Sequence, residues 1–372
     1  MAVLARGLAE IGHEVTVMGL TPGVTKRISQ HRGVQKIELP LLNSYWPFDG
    51  LRPARWRRML WHWRDRWNEA MGDACAEELR RQEPDLLVTN NLAGFSTAIW
   101  RAAKNQGIPI IHIVRDYYLL CPNSTMTTGS HECVSQCGSC HFLRMGGKRS
   151  LREVDRFLSI SDYIAAVHER VWEQPGLFQT IGNPIEPLGI LQPSGKRRPA
   201  LRFGYLGRLV PTKGVLEAIQ TFKRAAIDGE LLVAGSGPGE YTRACQQAAA
   251  GANVRFLGRV SPGELIGQID ALVVPSLWGE AFGRVVIEAA SAGVPSLVSA
   301  RGALPELIEV HRTGWIFQDF DELVTLFRSI CDAPEQMDRM RAACLQRAAN
   351  FSPQAIAHKL DEIVRDVIGE KK

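Results

Sequence analysis

The stretch from Val273 to Val298, V-V-P-S-L-W-G-E-A-F-G-R-V-V-I-E-A-A-S-A-G-V-P-S-L-V, limits the folds open to this chain more than any other. Apolar Ala271 to Val274 predicts a short buried strand, Pro275 to Gly283 a loop, and Arg284 to Ala292 a helix that Gly293 and Pro295 stop. A strand, loop and helix in this order suit an open parallel sheet, where ligands sit in the crevice beyond the carboxyl ends of the strands. Phe282, Gly283 and Arg284 supply N–H groups at the start of the helix, a place that favours an anion. Glu280 in the loop and Glu288 more than a turn into the helix can accept hydrogen bonds from two separated parts of one ligand, such as the hydroxyls of two sugar rings. The plainer alternative is a surface loop and helix carrying two solvated glutamates.

With 372 residues the chain can build two domains, each with its own core. Its 22% charged and 45% apolar residues are those of a globular protein, and no apolar run is long enough to span a bilayer. The start, M-A-V-L-A-R-G-L-A-E, lacks the pattern of an export signal, so a cytoplasmic location is expected. Cys75, Cys245, Cys331 and Cys344 stand singly in helical-looking segments, which fits a reducing compartment. A net charge of +5 permits attraction to anionic lipid or polyphosphate, and no nucleic-acid partner is expected.

Residues 1 to 10 predict a helix and E-V-T-V-M a strand. Residues 53 to 82 form one long helical pattern, with Trp56, Leu60, Trp63 and Trp67 on one face and Arg55, Arg57, Arg58, Arg64 and Arg66 around it. Such a face suits a lipid headgroup region, or it is a core-facing stripe with a basic rim. P-D-L-L-V-T-N-N predicts a strand, followed by a helix to about Lys104 and a further strand, I-P-I-I-H-I-V, in which His112 reads as a packed core histidine. Cys121, Cys133, Cys137 and Cys140 follow; four thiols with this spacing could close a structural zinc site, an iron–sulfur cluster has the same ligands but weaker support from the spacing, and the plainer reading is a loop of reduced cysteines or an adventitious disulfide. The proline-containing segment from Glu186 to Ala200 predicts a linker. Beyond it, L-R-F-G-Y-L-G-R-L-V-P-T-K-G predicts a strand and a loop on which Arg208 and Lys213 can converge on a diphosphate. E-L-L-V-A-G-S-G-P-G-E adds a strand and a turn whose Gly235 and Gly237 let backbone approach a nucleotide.

Glu280 and Glu288, with seven residues between them inside P-S-x-x-x-E-x-F-G-x-x-x-x-E-A, together with G-R-x-x-x-x-K-G at 207–214, resemble the signature of the retaining glycosyltransferases of family 4. The resemblance runs along almost the whole chain. It implies the α/β GT-B fold, two Rossmann-like domains facing across a cleft. It divides the chain into an acceptor-side domain at 1–187 with a Cys-rich insertion at 121–141, a linker at 188–200, a nucleotide-sugar domain at 201–352, and a helix at 353–372 that crosses back.

Arg208, Lys213 and Glu280 take the catalytic positions in this comparison. Gly207, Gly235, Gly237, Arg259, Val260, Phe282, Gly283, Glu288 and Arg115 take the donor-binding ones. Many members resembling this chain have His-Asp where it has Arg115 and Asp116, and a guanidinium pairs with carboxylate or phosphate but cannot serve as a neutral donor and acceptor. The family pattern also places a strand and Gly-rich loop before the segment that begins here, so a truncated first domain is expected. No cofactor is expected in catalysis, since no Asp-x-Asp pair stands in a glycine-flanked loop. The implied reaction moves a sugar from a nucleotide sugar to a glycan or lipid-linked acceptor, with retention, in surface polysaccharide or glycolipid assembly. A GT-B epimerase acting on UDP-sugars and a non-catalytic nucleotide-sugar-binding protein are the rival readings.

Overall fold

The computed structural model describes residues 2–50, 53–128, 131–189 and 200–369, so most of the expected linker at 188–200 lies outside the described residues. The chain divides into two compact units. The first contains Met1–Thr128, Glu132–Gly182 and Ile356–Lys372, and the second is chiefly Asn183–Ala355.

In the first unit α1 (Ala2–Glu10) leads into β1 (Val15–Thr21), β2 (Arg27–His31) and β3 (Val34–Pro40). These form a sheet of order β1-β3-β2, with β1 parallel and β2 antiparallel to β3. The long helical pattern expected over 53–82 is two helices, α2 (Arg55–Arg66) and α3 (Glu69–Gln82). The break lies at Trp67 and Asn68. Trp67 is extended, and the Asn68 carboxamide caps α3 by accepting from Met71 N at 3.2 Å while the Asn68 backbone N–H donates to Ser96 Oγ at 2.8 Å. A local cap and a tertiary bond thus override a periodicity that runs through both helices.

Then follow β4 (Leu87–Asn90), α4 (Ala98–Lys104), β5 (Ile110–Val114), α5 (Gly138–Arg149), β6 (Arg156–Ser159), α6 (Asp162–Trp172) and β7 (Phe178–Thr180). The four strands make a parallel sheet of order β4-β5-β6-β7. Strand β5 is buried throughout, as its unbroken apolar run requires. His112 is a core residue, as read from the sequence: Thr89 Oγ1 lies 2.8 Å from its Nδ1, the Trp100 ring meets it edge-on, and burial pushes its pKa down to about 3.

The second unit contains β8 (Leu201–Leu206), α7 (Val215–Ala225), β9 (Gly229–Ala234), α8 (Gly239–Ala248), β10 (Val254–Gly258), α9 (Pro262–Ile266), β11 (Ala271–Val274), α10 (Arg284–Ser291), β12 (Ser296–Ser299), β13 (Gly314–Phe317), α11 (Phe320–Asp332) and α12 (Glu335–Ala349). Its six strands form one parallel sheet of order β10-β9-β8-β11-β12-β13. Counted from β8 as the first strand, that order is 3-2-1-4-5-6, that of a dinucleotide-type Rossmann sheet. Its switch point falls between β8 and β11. The last helix, α13 (Pro353–Gly369), belongs from Ile356 onward to the first unit, where His13 Nε2 lies 2.7 Å from Asp361 Oδ1.

Candidate active site

The two loops that leave the switch point are those the sequence marked. One follows β8 and carries Gly207, Arg208 and Lys213; the other follows β11 and carries Ser276, Trp278 and Glu280. They are laced together by Leu277 N donating to Thr212 O at 2.9 Å. Gly214, at φ 66°, permits the approach, because a Cβ there would lie 1.9 Å from the Pro275 carbonyl oxygen.

Glu280 is 8% exposed. Its Oε1 accepts from Ser276 Oγ at 2.6 Å and from the Lys213 ammonium, which also lies 5.3 Å from the centre of the Trp278 ring. The glutamate is therefore held rigidly at the mouth of the sheet, with a cation already beside it. Arg208 is exposed and has no carboxylate partner among the described residues, so its guanidinium is available to an anion. Glu288 projects from the second turn of α10, nearly buried, with Arg284 Nη2 3.3 Å from its Oε1.

Gly283 opens α10 at φ 102°, and a Cβ there would strike Leu304 Cδ2 at 2.5 Å. The side chain of Phe282 is buried against the Phe351 ring at 5.6 Å, so only its backbone can serve a ligand. Gly235 and Gly237 close the adjoining loop after β9, but their lack of a side chain is demanded by protein backbone. A Cβ would lie 1.8 Å from Gly207 O in one case and 1.9 Å from Leu209 O in the other. Arg259, exposed, and Val260, half-buried, follow β10 along the same carboxyl edge.

Ser276 and Trp278 were not singled out by the sequence reading. The signal for Ser276 was its place after Pro275, four residues before Glu280; for Trp278 only its neighbours suggested a role.

Arg115 belongs to the first unit, directly after β5. Beside it Asp116 accepts from Tyr118 N at 2.8 Å and from Asn91 Nδ2 at 3.1 Å, and burial raises its carboxyl pKa. The loop continues to Tyr118, whose hydroxyl donates at 2.8 Å to Asp65 of α2, itself fully buried and 3.2 Å from Arg144 of α5. Burial outweighs the guanidinium and raises the Asp65 pKa.

Of the four cysteines, Cys140, in the first turn of α5, contacts both Cys137 and Cys121, and burial pushes its pKa up. Cys133 Sγ instead lies 3.4 Å from Thr128 Oγ1. Cys137 Sγ lies 3.2 Å from Ser139 Oγ, and that contact lowers its thiol pKa to about 7. Among the described residues no three His, Cys, Asp or Glu side chains gather as metal ligands.

The solved structures that superpose on this chain show that its fold, with the 3-2-1-4-5-6 sheet in the second unit, is GT-B. The Glycosyltransferase Family 4 model matches residues 1–187, and the model for Glycosyl transferases group 1 matches residues 190–347. A Klebsiella pneumoniae protein described as an uncharacterized 42.6 kDa protein in cps region is 30% identical over 331 residues, 86% of this chain and 85% of its own length. The GDP-mannose-dependent monoacylated alpha-(1-6)-phosphatidylinositol monomannoside mannosyltransferase of Corynebacterium glutamicum is 28% identical over 250 residues, 59% of this chain and 65% of its own. Among solved structures, sucrose-phosphate synthase from Thermosynechococcus elongatus superposes with TM-score 0.77 at 19% identity, covering 99% of this chain and 92% of that one. The chain belongs to glycosyltransferase family 4, and it is a glycosyltransferase.

Proposed function

We propose that the chain transfers a hexosyl group from a nucleotide sugar to a glycan or lipid-linked acceptor with retention at the anomeric carbon, in surface polysaccharide or glycolipid assembly. The observation that carries this reading is the meeting of the Arg208–Lys213 loop with the Glu280 loop at the switch point. Arg208 and Lys213 clamp the donor diphosphate, Lys213 exchanging Glu280 for a phosphate oxygen. Glu280 and Glu288 accept hydroxyls of the donor. The bond from the anomeric carbon to the phosphate oxygen breaks as the acceptor oxygen bonds the same face of that carbon. The acceptor proton passes to the leaving phosphate oxygen. Charge building on that phosphate is met by fixed cations, which is why they count more in the transition state than in the ground state.

A lipid-linked acceptor at an anionic membrane is supported by α2. Trp56 and Trp63 are 68% and 59% exposed, so the aromatic face is not spent on the core; only Trp61 and Asp65 of that helix are buried. The rim of arginines adds about 1 kcal/mol each near an anionic surface. No described helix is long and apolar enough to cross a membrane. The name of the Klebsiella relative places it in a cps region, and that of the Corynebacterium relative specifies a lipid-anchored mannoside as acceptor, which agree with this reading.

The test is product analysis with UDP-, GDP- and ADP-sugars, with and without a lipid extract as acceptor. A glycosylated acceptor of the donor's anomeric configuration is expected. An inverted product removes retention, a sugar isomer formed without acceptor marks an epimerase, and binding with no product marks a non-catalytic protein.

A further inference from the structure

A groove of 1270 Å³ opens in the first unit. Arg66 and Trp67 at the end of α2, Lys148 near the end of α5, Arg152 and Arg156 around the start of β6, and Phe178 at the start of β7 line it. It thus lies where β6 and β7 begin, whereas Arg115 and Asp116 follow the last residue of the parallel strand β5.

The cations here are unevenly spent. Arg101, also in the wall, pairs with Glu153 at 2.9 Å, while the exposed pairs Lys148–Glu173 at 3.7 Å and Arg156–Asp366 at 3.4 Å are long and solvent-screened. Asp155, the acid in the wall, accepts from Lys104 Nζ at 3.2 Å and Ile110 N at 2.8 Å. Arg66 and Arg152 have no carboxylate partner among the described residues. Arg66 lies 4.9 Å from the centre of the Phe142 ring, and Arg101 lies 5.6 Å from that of Trp67. Such stacking fixes a guanidinium plane while leaving its N–H donors for an anion.

Trp67 joins this groove to the exposed aromatic face of α2, and the groove is far larger than a bare phosphate needs. We propose that the groove is a headgroup site for an anionic phospholipid, the phosphodiester held by Arg66 and Arg152 and the glycerol backbone lying against Trp67 and Phe178. The inference rests on the membrane reading of α2, which would bring the groove to the level of the lipid phosphates. It adds what that reading lacks, a saturable site for a single lipid.

The experiment titrates the full chain calorimetrically with dihexanoyl-phosphatidylglycerol below its micelle concentration, so that no bilayer is present. Binding that saturates at about one lipid per chain is expected, and Arg66→Gln with Arg152→Gln should weaken it at least tenfold. The charge-matched pair Arg55→Gln with Arg64→Gln, on the exposed rim of α2, should change it less than twofold. Arg66 is half-buried and Arg152 exposed, and Arg152→Gln alone serves if the double variant melts early. No saturation by the wild type, or equal binding by the groove variant, overturns the site. Displacement by inorganic phosphate as readily as by the lipid also overturns it, in favour of a free-phosphate site. Trp56→Ser with Trp63→Ser separates the two readings: it should abolish sedimentation with phosphatidylglycerol vesicles and leave short-chain lipid binding intact. If the wild type ignores vesicles yet binds the short-chain lipid, docking by α2 fails and the groove stands. Vesicle binding without short-chain lipid binding removes the groove and leaves the docking helix.

Discussion

The two units solve the same packing problem differently. The second has one continuous six-stranded parallel sheet, with β11 and β12 buried along their whole length and a core of Phe203, Phe222 and Phe327 rings beside it. Its buried carboxylates, Glu280 and Glu288, stand in the site. Among the described residues the first unit has two separate main sheets, apart from a short pairing of Thr127–Thr128 with His131–Glu132, and both β1 and β4 are largely half-buried. Its interior holds the Asp65–Arg144 pair, His112 and His168. One unit thus keeps its buried carboxylates at the functional edge, while the other builds buried charged and titratable groups into its frame. The first should therefore respond to pH and to loss of a charge, and the second to loss of ligand contacts.

The largest expected effect tests that contrast directly. Arg144→Leu strands the buried Asp65 carboxylate and should destabilise the first unit by about 3–5 kcal/mol, read in chemical denaturation. A loss below about 1 kcal/mol would mean that the pair is not part of the frame. In the second unit, Lys213→Ala should lower turnover roughly 100-fold or more through the lost charge on the leaving diphosphate, with the first unit's unfolding unchanged. Turnover within a few-fold of wild type would take Lys213 out of the mechanism.

Acid sharpens the comparison further. Burial depresses the pKa of His112 to about 3, and of His168 and His62 to about 4, from an ordinary value of 6.5. Between those values the unfolded chain holds more protons than the folded one, so stability is lost as pH falls below 6.5. The slope is roughly 1.4 kcal/mol per pH unit for each histidine. All three belong to the first unit, and a denaturation series from pH 7 to pH 4 should show that unit failing first. Simultaneous loss of both units would break the distinction.

Smaller still is the expected difference in hydrogen exchange: amides of β1 and β4 should exchange faster than those of β11 and β12. Equal protection would show that the half-buried strands are as well held as the core ones. Metal analysis closes the series. About one zinc per chain is the expectation from cysteine spacing, and it requires Cys133 to leave Thr128. No zinc, with all four thiols alkylated in the native protein, removes it.

The second unit was more legible in the sequence because its site is local. Strand, loop and helix from Ala271 to Ser291 are contiguous, and Gly283 and the paired glutamates fall inside that run. What holds Glu280 was not legible in full, since Lys213 lies 67 positions away and the two meet only through the sheet order. In the first unit Asp65 and Arg144 are 79 positions apart, and nothing in either neighbourhood marks them as partners. The helical period over 53–82 was visible, but the Asn68 cap that divides it depends partly on Ser96. Periodicity also gave α2 an apolar face without saying whether protein covers it; the exposure of Trp56 and Trp63 answers that.

The central claim, that the switch point of the second unit grips a nucleotide sugar through Lys213 and Glu280, is tested most directly by thermal denaturation. The full chain and its Lys213→Ala variant are heated with saturating UDP-, GDP- and ADP-sugars. Ligand bound to the native state raises stability by about 2.7 kcal/mol at a hundred times the dissociation constant. At least one sugar nucleotide should raise the midpoint of the wild type by several degrees, with that shift largely lost in the variant. No shift with any of the three, or an equal shift in both proteins, would contradict the account.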